Sequence, residues 1–277
     1  MTHVANEEQQ DYWSGDNGKS WIADEMVMDG LFVEVVDLLL HRAGAAEGRD
    51  ILDIGCGTGA LSLAFAEAGA RVVASDISQP LLARAKERSG GRFETFWGDA
   101  QVAVWPRLFD LVVSRFGVMF FEDPVAAFAN ISKALKPDGR LLLAAWGAFE
   151  ENVWWSRQRD IAREMLGIES VSPDPYVPGP MGLSDADWGV EKMQRAGLVD
   201  TECHPIEVFL RFPGTSELVG QQALKIGFGA RLLRMHDAMG TLGGAYAARV
   251  TDAFREFETE GQTRVPAMIN LYMGRAA

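Results

Sequence analysis

The 277-residue chain carries 26 Lys and Arg against 39 Asp and Glu, a formal net charge of −13, with 48% hydrophobic and 23% charged residues. That length suits one large α/β domain or two small ones, and the composition excludes wholesale disorder. The acidity disfavours any partner held through phosphate neutralisation, so neither nucleic acid nor an anionic membrane surface is expected. Cys56 and Cys203 cannot build a disulfide framework, and no Cys/His spacing suggests a zinc site. No apolar run approaches the roughly 18 residues of a membrane span, and the first residues lack a signal-peptide pattern. The default expectation is a cytoplasmic protein without a metal.

Asn6 to Trp13 reads as a short polar arm and Ser14 to Ser20 as a glycine-containing break. Leu31, Val35, Leu38 and Leu39 then recur at helical spacing within 24–44, ending near Gly44. From Asp50 the period changes. Ile51 to Ile54 is a short apolar strand entering a glycine cluster, and a helix from Thr58 to about Ala68 follows, with Gly69 as its stop. Arg71 to Ser75 is a second strand, and Ser78 caps a helix reaching Arg88. Arg92 to Trp97 and Phe109 to Ser114 are third and fourth strands; Asp123 to Leu135, with Pro124 in its first turn, is a helix; Gly139 to Trp146 is a fifth strand. Short strands alternating with helices describe βαβ units and a doubly wound parallel sheet, which binds ligands outside the carboxyl ends of its strands. Beyond, Glu151 to Leu166 reads as helix, Ser172 to Pro180 with four prolines as an irregular loop, and Ser184 to Ala196 as helix. Thr201 to Phe212 and Val265 to Met273 are β segments flanking a long helical stretch, Thr215 to Glu260.

The stretch richest in chemistry is Ile51-Leu-Asp-Ile-Gly-Cys-Gly-Thr-Gly59. A strand running into Gly55, Gly57 and Gly59 lets the backbone turn tightly against a ligand, and the next helix start supplies unpaired N–H groups. Asp76, 21 residues after Gly55, stands just past the second strand, where a carboxylate can accept hydrogen bonds from a ribose diol. Gly55, Gly57 and Ala60 also satisfy the dinucleotide fingerprint, so an NAD(P)-dependent oxidoreductase is a rival reading. Three features oppose it. Asp53 at the strand end repels a pyrophosphate but favours an ammonium or sulfonium ligand; Gly59 opens the loop one position early; and Gly98-Asp99-Ala100 adds a further acid, suited to an exocyclic amine. Three carboxylates at three strand ends fit a cationic nucleoside better than a phosphorylated one.

Leu52-Asp-Ile-Gly-Cys-Gly-Thr-Gly59, Asp76-Ile77, Gly98-Asp99-Ala100, the segment FDLVVSRFGVMFFEDP at 109–124 and the turn Lys136-Pro-Asp-Gly-Arg-Leu141 together resemble the class I S-adenosylmethionine-dependent methyltransferases, in the small-molecule branch of the ubiquinone/menaquinone-biosynthesis type. The likeness covers about 1–147 strongly and the rest weakly. It implies a Rossmann-like, seven-stranded, mostly parallel sheet with an antiparallel last strand and helical lid insertions. It also implies one methyltransferase domain over 1–277: a helical cover (1–49), a cofactor core (50–147), lid insertions (148–183 and 213–262) and C-terminal strands (198–212 and 265–275).

The resemblance further implies that Gly55 and Gly57 underlie the cofactor's amino-acid portion while Asp53 orients its ammonium. Asp76 would hold the ribose, Ile77 pack on adenine, Asp99 take the adenine amine and the Ala100 N–H a ring nitrogen. Ser114, Arg115 and Phe116 would reach the methionine portion, Met119 would wall the pocket, and Trp13 and Trp21 would fold over the cofactor. Asp138 stands where the family pattern has glycine.

Arg115 could equally bind cofactor or substrate, or pair with the surplus acids. Trp146, Phe149, Trp154 and Trp155 read as core and lid packing that could also line an acceptor pocket. His204 and His236 are base candidates by residue type alone; no catalytic residue is otherwise indicated. The acceptor is expected to be a small molecule, and nothing separates monomer from homodimer. A family member that binds the cofactor without transferring methyl is the remaining alternative.

Overall fold

The computed structural model describes residues 5–169 and 172–277. Residues 1–4, with His3, and 170–171 fall in the expected cover and first lid segment and lie outside the described residues. Four helices open the chain: α1 (Glu7–Ser14), α2 (Asp16–Ala23), α3 (Glu25–Leu31) and α4 (Val33–Ala43). The alternating core is β1 (Asp50–Ile54), α5 (Ala60–Glu67), β2 (Arg71–Asp76), α6 (Gln79–Ser89), β3 (Glu94–Trp97), β4 (Phe109–Arg115), α7 (Pro124–Ser132) and β5 (Leu135–Trp146). There follow α8 (Val153–Leu166), α9 (Ala186–Arg195), β6 (Val199–Phe212), α10 (Ser216–Ala223), α11 (Phe228–Met235), α12 (Met239–Phe254), β7 (Glu258–Thr259) and β8 (Gln262–Arg275).

The sheet runs β3-β2-β1-β4-β5-β8-β6. β1 to β5 pair in parallel, and β8 runs antiparallel between β5 and β6. The expected seven strands form this path, and the two-residue β7 adds an eighth on β8. Sheet order reverses between β1 and β4, the switch point at which doubly wound sheets open a crevice. Ile51, Leu52, Val72 to Ala74, Leu111 to Val113 and Leu141 to Ala145 are all buried, the continuous apolar runs of strands covered on both faces.

Two expectations change at the N-terminus. The supposed break at Ser14 to Ser20 is mostly helix: only Gly15 turns the chain, and α2 runs through Gly18. A Cβ on Gly18 would overlap the Trp13 carbonyl, so this glycine permits α1 and α2 to touch rather than ending a helix. The single helix over 24–44 is divided at Phe32, whose ring turns into the core. The β5 strand begins at Leu135, earlier than expected. Phe109 pairs with Leu135 and Leu111 with Arg140, so the intervening residues bulge from the ladder. Asp138 takes the left-handed conformation there (φ 63°), which Asp adopts more readily than most residues, so the turn survives the loss of glycine. No helix among the described residues is long and apolar enough to cross a membrane.

Candidate functional site

The β1 strand ends where its backbone meets the segment after β4. A Cβ on Gly55 would lie 2.6 Å from the Gly117 Cα, and one on Gly117 would lie 2.6 Å from the Ile54 carbonyl oxygen, so this contact requires glycine on both sides. Ser114 ties the two together: its hydroxyl donates to the Ile54 carbonyl (2.7 Å) and accepts from the Gly117 N–H (3.1 Å). The Ser114 hydroxyl is therefore engaged by the backbone of the chain itself. The side chain is fully buried and bound to backbone on both sides.

Asp76 ends β2 beside the glycine loop, accepting the Gly57 N–H on Oδ2 and the Ser78 N–H on Oδ1, both at 2.8 Å. Burial pushes its carboxyl up to about 6 against these hydrogen bonds. Each oxygen retains a second lone pair. Ile77 follows, half-buried, with its carbonyl accepting from Trp97 Nε1. Asp53 lies deeper. Its Oδ2 accepts the Ser62 hydroxyl at 2.6 Å, but Oδ1 is buried with no partner. Burial, reinforced by nearby Asp76, pushes this carboxyl up to about 7, with Ser62 and the Arg115 charge acting in the opposite direction. Burial also raises the neighbouring Cys56 thiol well above its ordinary value, so it is no ready nucleophile.

Asp99 differs from expectation. Its Oδ2 accepts the N–H groups of Ala5 (2.7 Å) and Asn6 (2.9 Å); its Oδ1 accepts Asn6 Nδ2 (2.8 Å) and the Gln101 N–H (2.9 Å). Two carboxylate oxygens offer about four lone pairs, and all four are engaged by the chain itself. Asp99 is thus an anchor for the N-terminal segment, with no acceptor left for an adenine amine. Asn6 Oδ1 completes the knot by accepting the Glu122 N–H. Ala100 is buried beside it, its carbonyl accepting from Asn130.

The N-terminal helices close over this strand edge. Trp21 overhangs the loop, with its Nε1 3.6 Å from where a Gly57 Cβ would stand, and the Trp13 carbonyl accepts the Ser78 hydroxyl. Glu25 and Asp29 on α3 face Arg84 and Arg88 on α6. Arg84 binds both Glu25 oxygens, and Arg88 binds Asp29 and the Thr58 carbonyl. Both pairs sit at i, i+4 spacing, a signal present in the sequence that motif reading passed over. From Trp21 a line of rings runs inward: Trp21 stacks on Phe32, Phe32 meets Phe116, and Phe116 stacks on Trp146 at 4.7 Å. The line continues to Trp155, Phe228 and Phe149. Phe32 and Phe228 had carried no motif.

Met119 is buried against the 177–183 segment, its carbonyl accepting from the Gly179 N–H. The histidines are not brought to the site. His204 is exposed beside Glu202 on the edge strand β6, three strands from β4 and so about 14 Å across the sheet. His236 is exposed at the end of α11. Neither is placed to act as a base there.

The sheet order, the glycine contact at the switch point and the acids at the ends of β1 and β2 define a Rossmann-like, doubly wound fold with its crevice at the β1–β4 switch point. Residues 52–143 match the family model described as a methyltransferase domain. The cypemycin N-terminal methyltransferase of a Streptomyces species is 40% identical over 140 residues, 44% of this chain and 57% of that protein. The mitochondrial ubiquinone biosynthesis O-methyltransferase of Schizosaccharomyces pombe is 29% identical over 145 residues, 50% of this chain and 52% of its own length. The chain thus spans little more than half the length of these curated relatives. The YcgJ protein of Bacillus subtilis shares the fold at 18% identity with a TM-score of 0.55, covering 87% of this chain and 98% of that one.

Proposed function

We propose that this protein transfers a methyl group from S-adenosylmethionine to a small-molecule acceptor by in-line displacement. The observation that carries the reading is the unpartnered Oδ1 of Asp53, buried at the end of β1 beneath the glycine loop. A pyrophosphate there would confront a buried carboxylate, whereas a cationic amino-acid group satisfies it. The oxidoreductase reading fails on the same atom. When bound, the cofactor supplies an activated methyl on a sulfonium; the chain supplies position and a dry surround.

In this reading Gly55 and Gly57 admit the ligand backbone closely, and the free lone pairs of Asp76 hold the ribose hydroxyls. Ile77 and Trp21 cover the adenine, the Ala100 N–H takes a ring nitrogen, and Phe116 faces the methionine portion. Residues 1–49 act as a cover, held down by the Asp99–Asn6 knot and the Glu25/Asp29–Arg84/Arg88 latch, and it keeps water from the reacting atoms. The regions 148–183 and 213–262 act as lids, and 198–212 and 265–275 complete the sheet, in one methyltransferase domain over 1–277. Trp146, Phe149, Trp155 and Phe228 form an apolar wall for the acceptor. With both histidines remote, alignment and desolvation carry the chemistry.

The test is calorimetric titration with S-adenosylhomocysteine, followed by mass spectrometry of a metabolite pool incubated with isotopically methyl-labelled cofactor. Binding and a labelled product are expected. No binding refutes the reading, and binding without any product turns it to a cofactor-binding protein of other chemistry.

A further inference from the structure

At the edge of the sheet opposite the crevice, a cavity of about 150 Å³ opens beneath the end of α4. Leu111, Leu142 and Met273 form its apolar floor, and Arg42, Arg140 and Arg275 stand around it. Strand register brings them together. Leu111 pairs with Arg140, Arg140 with Arg275 and Leu142 with Met273, so these five project from one face of the sheet. The α4 helix packs on that face: Arg42 lies in its last turn, and Arg140 Nη2 donates to the Ala43 carbonyl at 3.0 Å. Arg140 stands six residues before Trp146 on β5, which sets the cavity about 20 Å from the strand ends of the crevice.

The chain has 39 acids for 26 Lys and Arg, yet these arginines are not neutralised. Arg42 and Arg140 join no ion pair within 4 Å among the described residues. Arg49 donates to the same Ala43 carbonyl at 3.0 Å, and burial, then the Arg140 charge, hold its guanidinium below its ordinary value. Three cations thus crowd one helix end. The acids at the rim are committed elsewhere. Asp200 takes Nη1 of Arg275 (3.3 Å) and Asp138 takes Nη2 (3.1 Å), while Glu202 lies 3.1 Å from His204 Nε2. Both aspartates have left-handed backbone, φ 63° at Asp138 and 50° at Asp200, where β5 and β6 each break register. Such irregularities re-aim side chains, and here both end on Arg275, fixing a fork whose Nε is buried without a partner.

We propose that this cavity binds a small organic anion, its carboxylate or phosphoryl oxygens held by Arg42, Arg140 and Arg275 and its carbon body laid on Leu111, Leu142 and Met273. Guanidinium forks match oxyanions through paired hydrogen bonds, and arginine keeps its charge in any such setting. The volume is several times the ~30 Å³ share of one water, room for an ion with a short carbon chain. The site shares no residue with the crevice. Because its arginines lie on α4, β5 and β8, a bound anion ties three elements together and should raise the melting temperature.

The test is calorimetric titration with propyl phosphate, butyrate and inorganic phosphate in chloride at constant ionic strength. Wild type is expected to bind propyl phosphate or butyrate at one site per chain with a Kd of about 1 mM or tighter, the tighter of the two naming the oxyanion. Inorganic phosphate should bind more weakly, because it leaves the apolar floor uncovered. Saturating S-adenosylhomocysteine should leave these affinities unchanged. Arg42→Gln and Arg140→Gln should each weaken binding about 10-fold, the loss of one charge-assisted contact. Arg231→Gln, which removes an exposed arginine of α11 with the same change in net charge, should not. If Arg140→Gln, deprived of its bond to α4, is unfolded, Arg42→Gln decides. No saturable binding of either organic anion, competition by S-adenosylhomocysteine, undiminished affinity in a folded Arg42 or Arg140 variant, or an equal loss in Arg231→Gln overturns the site. Inorganic phosphate binding as tightly as propyl phosphate overturns the role of the floor and with it the organic class of the ligand.

Discussion

Asp76→Ala tests the ribose assignment most directly. In the folded protein the carboxylate holds the Gly57 and Ser78 N–H groups at 2.8 Å. Burial has pushed its carboxyl from 3.8 to about 6, which at roughly 1.4 kcal/mol per pH unit is a cost of about 3 kcal/mol for keeping it ionised at pH 8. Truncation removes that cost but leaves two buried N–H donors unsatisfied, at about 1–3 kcal/mol each. The two effects nearly cancel, so the melting temperature should change little. Binding has no such compensation. Loss of the charged acceptor for the ribose hydroxyls should weaken S-adenosylhomocysteine by about 1–3 kcal/mol, roughly 5- to 150-fold. The assay is calorimetry at pH 8 on variant protein with a native circular-dichroism spectrum, repeated with a 2′,3′-dideoxy analogue. Wild type should lose affinity for that analogue, whereas the variant should bind it as it binds the parent ligand. Unchanged affinity in the folded variant, or an undiminished penalty for the missing diol, would falsify the assignment.

Other consequences follow from individual contacts. Because burial raises Asp53 to about 7, the ligand-free folded protein holds a proton that the unfolded chain releases between pH 3.8 and about 7. Its contribution to stability is therefore present at low pH and lost as pH rises through 7. A cationic ligand group reverses the preference, so affinity for S-adenosylhomocysteine should increase from pH 6 to 7.5; Asp53→Asn should flatten that profile, and an equally steep profile in the variant excludes Asp53 as its source. Asn6→Ala removes the amide that bridges Asp99 and Glu122. It should expose the first twenty or so residues to limited proteolysis and weaken cofactor binding several-fold. Protection equal to wild type would show that α1 and α2 are held by their rings alone. Ser114→Ala deletes a fully buried hydroxyl and should cost about 1–2 kcal/mol in urea unfolding. Its ligand affinity at saturating stability should stay within about twofold, because the hydroxyl serves the Ile54 and Gly117 backbone; a larger loss of affinity at unchanged stability would return it to the binding surface.

The alternating core was legible because local chemistry and tertiary role coincide there. Apolar runs of four to seven residues, bounded by glycine or by a capping serine, can be little other than buried parallel strands with their crossovers, and Ser78 caps α6 as its position indicates. Asp76 was legible for the same reason, since its place at a strand end is fixed by the strand itself. Asp99 shows where this logic stops. It too follows a strand end, but three of its four hydrogen bonds come from residues 93 and 94 positions earlier in the chain, a long-range partnership that no local pattern encodes. Ser114 is similar: a hydroxyl at the end of β4 reads as available until the close approach of Gly55 and Gly117 shows the backbone it must hold together. The Ser14–Ser20 segment was misread because glycine has two uses, ending a helix and letting another backbone approach, and only packing distinguishes them.

The amino-acid sequence by itself determined the order of strands and helices from β1 through β5, the glycine loop and the identity of the acids at the strand ends, because each of these depends on residues close together in the chain. The tertiary structure alone decided which of those acids are free. Once α1 and α3 fold back onto the sheet edge and α6, Asp99 is saturated by hydrogen bonds, Asp29 is neutralised by Arg88, and Asp53 Oδ1 and Arg115 Nη1 are left buried without partners. That difference is a matter of desolvation: an exposed charge is satisfied by water whatever its neighbours, but a buried one is satisfied only by what the fold, or a ligand, brings to it.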